Sequence, residues 1–225
     1  MLTVHHLENS RSQRILWLLE ELGLAYEIKR YKRDPATSLA PPALAKVHPL
    51  GKSPVSTDNG VPVAESGAIV EYQVGKYDDG TLLPAEHTPR RLAYTYWLHY
   101  AEGSFMPLMI LSLIMGRIET APMPFFVKPI AKGIVAKVRN GSLDPNVACN
   151  LAFMESSLEG KDWFVGDALT AADIHMSFAV EAAEVRCNLV ADYPNLAGYL
   201  TRMRARPAYQ RALEKGGPYK LMGKK

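Results

Sequence analysis

The stretch from His48 to Ser66 constrains this chain more than any other. It reads His48-Pro49-Leu50-Gly51-Lys52-Ser53-Pro54-Val55, then Ser56-Thr57-Asp58-Asn59-Gly60, then Val61-Pro62-Val63-Ala64-Glu65-Ser66. Residues 55–57 and 61–64 are short apolar runs with a period near two. The Asp58-Asn59-Gly60 between them is strong turn chemistry, so the pair predicts a β-hairpin. Pro54 cannot donate to a sheet ladder and therefore belongs at a strand start. X–Pro bonds are also the ones that adopt cis at small cost, and a cis Pro54 is expected here. Val55 would then present its backbone N–H and C=O to an extended, peptide-like ligand, as in strand addition. Ser66 stands where the N-cap of the next helix is expected. The free N–H groups and positive dipole end beside it would seat a carboxylate. Lys52 adds a point charge a few residues upstream.

On the N-terminal side, Leu2, Val4 and His6 alternate with Thr3 and His5 and predict a short strand. Asn9-Ser10-Arg11-Ser12 supplies helix-start residues, and Ile15, Leu16, Leu18, Leu19 and Leu22 follow at helical spacing up to Gly23. Ser10-x-x-Gln13 matches a capping box. Residues 26–31 predict a second strand, which gives a βαβ unit with a parallel pair. Pro41-Pro42-Ala43-Leu44-Ala45 predicts a short helix with proline in its first turn. His5 and His6 have no carboxylate or cysteine at ligand spacing, so no metal site is expected.

After the turn-rich 78–84 no strand pattern is found. Helices are expected from Pro89 to about Gly116, then onward to Val138. Asn140-Gly141-Ser142 should break the chain, and Asp144-Pro145 should open the next helix as N-cap and N1. Thr170-Ala171-Ala172-Asp173 predicts a capping box at the head of a helix to about Val185, with Leu169 and Ile174 as its hydrophobic staple. Pro194 should begin a further helix to about Arg206. The expected organisation is an α/β domain over 1–78, a linker over 79–88, and an all-α domain over 89–225.

Composition excludes several classes. The 225 residues are 48% hydrophobic, enough for a sizeable core without staples. The net charge is only +3, and Lys and Arg are scattered, down to Lys224-Lys225. A basic stripe with interleaved aromatics is missing, so nucleic acid is not an expected partner. Cys149 and Cys187 make no framework, which suits reduced thiols in a cytosolic protein. No signal peptide is expected from the first residues. The most apolar run, 105–118, is interrupted by Pro107 and Gly116 and is shorter than the roughly 18 residues a bilayer span needs. A soluble, cytoplasmic protein with no membrane association is expected.

Gly51-Lys52-Ser53-Pro54-Val55 followed by Glu65-Ser66 resembles the glutathione-binding signature of cytosolic glutathione transferases. Phe164-Val165-Gly166-Asp167 leading into the Thr170 cap resembles the family's second-domain pattern, so the resemblance covers nearly the whole chain. It implies a thioredoxin-like N-terminal domain, an all-α C-terminal domain and a homodimer, with the helices from Ser66 and Pro89 at the interface. It implies glutathione as co-substrate, with no metal. Pro54 would be cis and the Val55 backbone would pair with the ligand's cysteine. Glu65 and Ser66 would take the γ-glutamyl end, and Lys52 the glycyl carboxylate. The second substrate would be a small, mostly apolar electrophile, with Tyr96, Tyr100, Phe105, Met106 and Met109 divided between its pocket and the core.

In the family a Ser, Tyr or Cys at the turn after the first strand contacts the sulfur. Counting back from Ile15, that position falls on Asn9, with Ser10 one residue later. This departs from the usual pattern and resembles a bacterial or fungal branch with Asn-Ser at the turn. Both side chains can donate to a thiolate, and Ser10 is expected to be the larger donor, although a capping serine would be otherwise engaged. Arg11 would help electrostatically. The absence of a cysteine at the turn argues against glutaredoxin-like chemistry. Three readings remain: conjugation, glutathione-dependent reduction of peroxides or disulfides at the same site, and a non-catalytic glutathione-binding module.

Overall fold

In a computed structural model the chain is described at residues 1–187, 189–217 and 219–221. The Lys224-Lys225 pair lies outside them. Strand β1 (Leu2–Leu7), helix α1 (Ser12–Glu21) and strand β2 (Tyr26–Tyr31) form the expected βαβ unit. A 3₁₀ turn at Pro42–Lys46 leads to β3 (Val55–Asp58) and β4 (Val61–Ala64), joined through Asn59 at φ 48 and Gly60 at φ 87. The sheet order is β2-β1-β3-β4, with β1 parallel to β2 and antiparallel to β3, and β3 antiparallel to β4. Helix α2 (Ser66–Tyr77) completes the α/β part.

The remainder is helical, as expected. It comprises α3 (Pro89–Tyr100), α4 (Met106–Thr120), α5 (Lys128–Val138), α6 (Asp144–Ser157), α7 (Ala171–Arg186), the single turn α8 (Leu189–Asp192), α9 (Pro194–Ala205) and α10 (Pro207–Gly216). Among the described residues no strand follows β4; Trp163 and Gly166 form only an isolated bridge.

Three expectations are corrected here. The chain does not break at Asn140-Gly141-Ser142: a π-helical turn, Arg139–Leu143, carries α5 into α6, and Asp144 begins α6 rather than capping it. Tertiary contacts override the local turn chemistry, since Leu143 is buried and Arg139 pairs with Glu119 and Asp144. A second π-helical turn, Ala101–Phe105, likewise joins α3 to α4. The combined run from Pro89 to Thr120 is 32 residues, long and apolar enough by length and composition to cross a bilayer, contrary to the expected shortness. Tyr94, Trp97, Leu98, Ala101, Phe105, Met106 and Met109 of this run are buried in the protein's own core. Helix α10 is additional, with no counterpart among the expectations.

Helix α1 is the centre of the molecule. Every residue from Ser12 to Glu20 is buried, because β1 covers one side of the helix while α7 and α10 cover the other. The second half is fastened to it by charge. Arg206 forks onto Glu21 at 2.5 and 2.8 Å, and Arg211 and Lys215 reach Glu20 at 2.8 and 2.5 Å. Helix α7 is the second pillar, buried from Ala171 to Ala183. Its capping box is present: Asp173 accepts from Thr170 N at 2.9 Å and from the Thr170 hydroxyl at 2.7 Å.

Candidate active site

The end of β1 and the start of β3 are stitched together. The Leu7 amide donates to Ser53 Oγ at 3.3 Å, and the Ser53 hydroxyl donates to the His5 carbonyl at 3.0 Å. The Ser53–Pro54 peptide is cis. Val55 begins β3 opposite His5 on one side and Ala64 on the other, and its side chain is buried. Gly51, at φ 57, turns the chain into this segment.

A cavity of about 280 Å³ opens beside this joint. Lys52, Pro54, Glu65 and Ser66 line it together, and Arg11 and Glu102 stand among the other lining residues. Among the described residues the Lys52 ammonium has no hydrogen-bond or ion-pair partner. Glu65 is at φ 69 and ψ 128, a conformation that costs a non-glycine residue on the order of 1–3 kcal/mol and recurs at ligand sites. The expectation for Ser66 is corrected: Glu65 occupies the cap position and Ser66 is the first helical residue. No side chain caps α2, so its first N–H groups remain available to an anion.

At the turn after β1 the structure separates the two candidate donors. Ser10 is buried, and its hydroxyl donates to the Leu7 carbonyl at 2.7 Å while lying 2.8 Å from Ser12 Oγ. It also accepts from Ser12 N at 3.2 Å. The expected capping box is absent: Arg11 takes the cap position without a side-chain bond, and Gln13 has no partner for either amide atom. The Ser10 proton is therefore committed inside the turn, which runs against its expected place as the larger donor. Asn9, at φ 51, is half-buried and keeps its amide outside that network.

Arg11, expected to help electrostatically, and Glu102, which no sequence signal marked, complete the wall. Arg11 Nε donates to Glu102 Oε1 at 3.0 Å, and its guanidinium lies 5.5 Å from the Phe178 ring centre. The wholly buried Arg14 also bonds Glu102, and donates to the His175 carbonyl at 2.6 Å. Burial pushes the Glu102 carboxyl up, but Arg14 and Arg11 outweigh it and hold the group below its ordinary range. Glu102 sits in the π-helical turn after α3, where the wider turn moves a side chain off the helix's regular faces. A 3.6-residue periodicity gives no sign of it. Of the residues divided between pocket and core, Tyr100, Phe105, Met106 and Met109 are core, and Tyr96 packs on Tyr100 and Phe153. The apolar residue of α4 that reaches the cavity is Ile110.

Residues 1–74 match the family model "Glutathione S-transferase, N-terminal domain", and residues 120–207 match "Glutathione S-transferase, C-terminal domain". Glutathione S-transferase 3 of Schizosaccharomyces pombe is 36% identical over 215 residues, covering 96% of this chain and 88% of that protein. The chain belongs to the glutathione S-transferase family. Glutathione S-transferase 1 of Saccharomyces cerevisiae is 33% identical, with 96% and 95% covered. The crystal structure of a glutathione S-transferase from Actinobacillus pleuropneumoniae matches with a TM-score of 0.77 at 35% identity, covering 96% of this chain and 93% of that one. A sphingomonad glutathione S-transferase complexed with glutathione matches with a TM-score of 0.72 at 25% identity, covering 96% and 98%. The chain is thus a transferase enzyme with the family's two-part fold. The cavity described above lies between α2, α4 and the turn after β1.

Proposed function

We propose that this transferase conjugates the thiolate of glutathione to small, mostly apolar electrophiles. The observation that carries the reading is the single cavity in which Lys52, Pro54, Glu65 and Ser66 meet. The ligand's γ-glutamyl amine pairs with the Glu65 carboxylate, and its carboxylate takes the uncapped end of α2 at Ser66. The Val55 main chain pairs with the cysteinyl residue, and Lys52 takes the glycyl carboxylate. A free thiol near pKa 8.5 needs about 2.7 kcal/mol of preferential thiolate stabilisation to fall by two units. One or two hydrogen bonds to the charged sulfur, each about 1.5–3 kcal/mol, supply that. The donors we assign are the Asn9 amide and, through its charge, Arg11; Ser10 holds the turn. The sulfur lone pair then attacks an electrophilic carbon. The S–C bond forms, the carbon–leaving-group bond breaks, and the leaving group departs with the bonding pair.

The apolar electrophile is supported by α4, where Ile110, Ile114 and Ile118 recur at four-residue spacing and are each more than a third exposed. Among the described residues neither Cys149 nor Cys187 is in a disulfide, which supports a reduced, cytoplasmic setting. Calorimetric titration of a Glu65→Gln, Ser66→Ala double variant tests the site. Loss of two charge-assisted bonds should weaken glutathione binding at least about tenfold, and an unchanged affinity would remove the assignment. Assays with a chlorinated aromatic and an organic hydroperoxide, run side by side, test the chemistry. Turnover of the hydroperoxide alone would replace conjugation by reduction.

A further inference from the structure

We propose that the chain beyond α10 positions the activating amide: the main-chain N–H of Lys220 fixes which end of the Asn9 side chain is free to donate. This rests on the transferase reading above and adds a residue to it.

Two features turn the chain at the end of α10. Gly216 lies against α1, where a Cβ would stand 2.4 Å from Gln13 Oε1. Gly217, at φ 84, then adopts a left-handed conformation that a side chain would resist. Residues 219–221 are held at two points. The Tyr219 hydroxyl donates to Glu181 Oε2 at 2.8 Å, while Tyr209 donates to Oε1 at 2.6 Å. Glu181 is only 5% exposed, so two phenols supply the bonds that its buried carboxylate requires. Arg204 and Glu184, paired with each other at 2.8 Å, are the neighbouring charges. One residue on, the Lys220 amide donates to Asn9 Oδ1 at 2.6 Å. A hollow of about 520 Å³, lined in part by Glu181, Tyr209, Tyr219 and Lys220, lies alongside the segment. Tyr219 and Leu221 also pack against the edge of the core.

The chemistry of an asparagine amide makes that last bond consequential. A main-chain N–H can only donate, so the atom of Asn9 that meets it is the acceptor Oδ1. Nδ2 is then the end left over, and no hydrogen bond engages it among the described residues. The Asn9 main chain is fixed as well, its carbonyl accepting from Arg33 Nη2 at 3.2 Å. Without the Lys220 bond the amide could rotate by half a turn and present Oδ1. An oxygen repels a thiolate, whereas an N–H stabilises it.

The test compares Lys220→Pro, which removes the N–H, with Lys220→Ala, which keeps it. The readout is the thiolate absorbance of bound glutathione against pH, with affinity measured by calorimetry and folding by thermal melts. The bound thiol should titrate about one pKa unit higher in Lys220→Pro than in Lys220→Ala, a tenfold change in thiolate ratio. Below both titrations, where the bound thiol is protonated in each variant, glutathione affinity should agree within about twofold; above them the proline variant should bind up to about tenfold more weakly, by linkage. Tyr219→Phe, which breaks only the anchor to Glu181, should shift the thiol in the same direction by less. In an Asn9→Ala background the proline and alanine variants should titrate alike. Equal pKa values for the two Lys220 variants in the native background would overturn the proposal. So would a difference that persists without the Asn9 side chain. If the wild type binds no glutathione, the transferase reading itself fails, a result separable from either of these.

Discussion

Asn9 and Ser10 are adjacent and chemically similar as donors, yet the backbone gives them opposite surroundings. Asn9, at a left-handed φ, is half-buried with its Oδ1 on the Lys220 amide, whereas Ser10 turns in to bond Leu7 and Ser12. The network continues to His6, whose Nδ1 is 2.8 Å from Ser12 Oγ. His6 is buried, and burial first, then the charge of Arg30, lowers its pKa to about 4. The unfolded chain, with an ordinary value near 6.5, therefore takes up this proton first. The contribution of a neutral His6 to stability is present above pH 6.5 and is lost as pH falls toward 4. His5, lowered mainly by burial, acts in the same direction. Asp173 opposes them, because burial raises its carboxyl to about 6. The difference between wild type and His6→Gln isolates one group. That difference should shift by on the order of 2 kcal/mol against the wild type between pH 7 and pH 5. Urea unfolding at the two pH values measures it, and a pH-independent difference would show that His6 is not held neutral.

At the scale of elements, α7 depends on one buried carboxylate. Besides the two bonds from Thr170, Asp173 accepts from the Phe164 amide at 2.7 Å, so it ties the loop before the helix to the helix start. Asp173→Ala would leave the Phe164 and Thr170 amides buried without partners, at about 1–3 kcal/mol each. A destabilisation of about 3 kcal/mol or more is expected in urea unfolding, and a loss below 1 kcal/mol would reduce the box to an ordinary cap. This element was legible in the sequence because Thr-x-x-Asp states its own hydrogen bonds. The hairpin was legible through Asp58-Asn59-Gly60, and the cis peptide at its head through Pro54. The π-helical turns were not. Asn140-Gly141-Ser142 carries the signals of a break, and only the burial of Leu143 and the pairing of Arg139 keep the helix intact. Glu102 was missed for a related reason, since a side chain displaced by a wide turn leaves no periodic trace. The commitment of the Ser10 hydroxyl was also invisible, because the Leu7 carbonyl that takes its proton is set by the path of β1 rather than by any local pattern.

For the whole molecule, the open question is what covers the apolar surface near α2 and α3. Leu92 is 74% exposed, Tyr96 48% and Phe153 42%. Tyr96 and Phe153 lie 6.2 Å apart at their ring centres, so they form one patch across α3 and α6. Val61 on the edge strand β4 is a further exposed apolar residue, and among the described residues no strand pairs with the outer side of β4. Soluble monomers rarely leave contiguous apolar patches beyond a few hundred Å² uncovered, and an open edge strand is a second liability. A two-fold partner seated on α2 and α3 would remove both with one self-complementary surface. Light scattering at micromolar concentration should therefore give about twice the chain mass of 24.9 kDa. Replacing Leu92 and Tyr96 by glutamate should return the mass to that of one chain, because two like charges would be desolvated on each side of the axis. A dimer that survives this double substitution would move the interface elsewhere. The tip between α4 and α5, where Phe125 is 84% and Phe126 64% exposed, is the next surface to substitute. A single-chain mass for the wild type would overturn the dimer and leave both apolar surfaces to be explained by other partners.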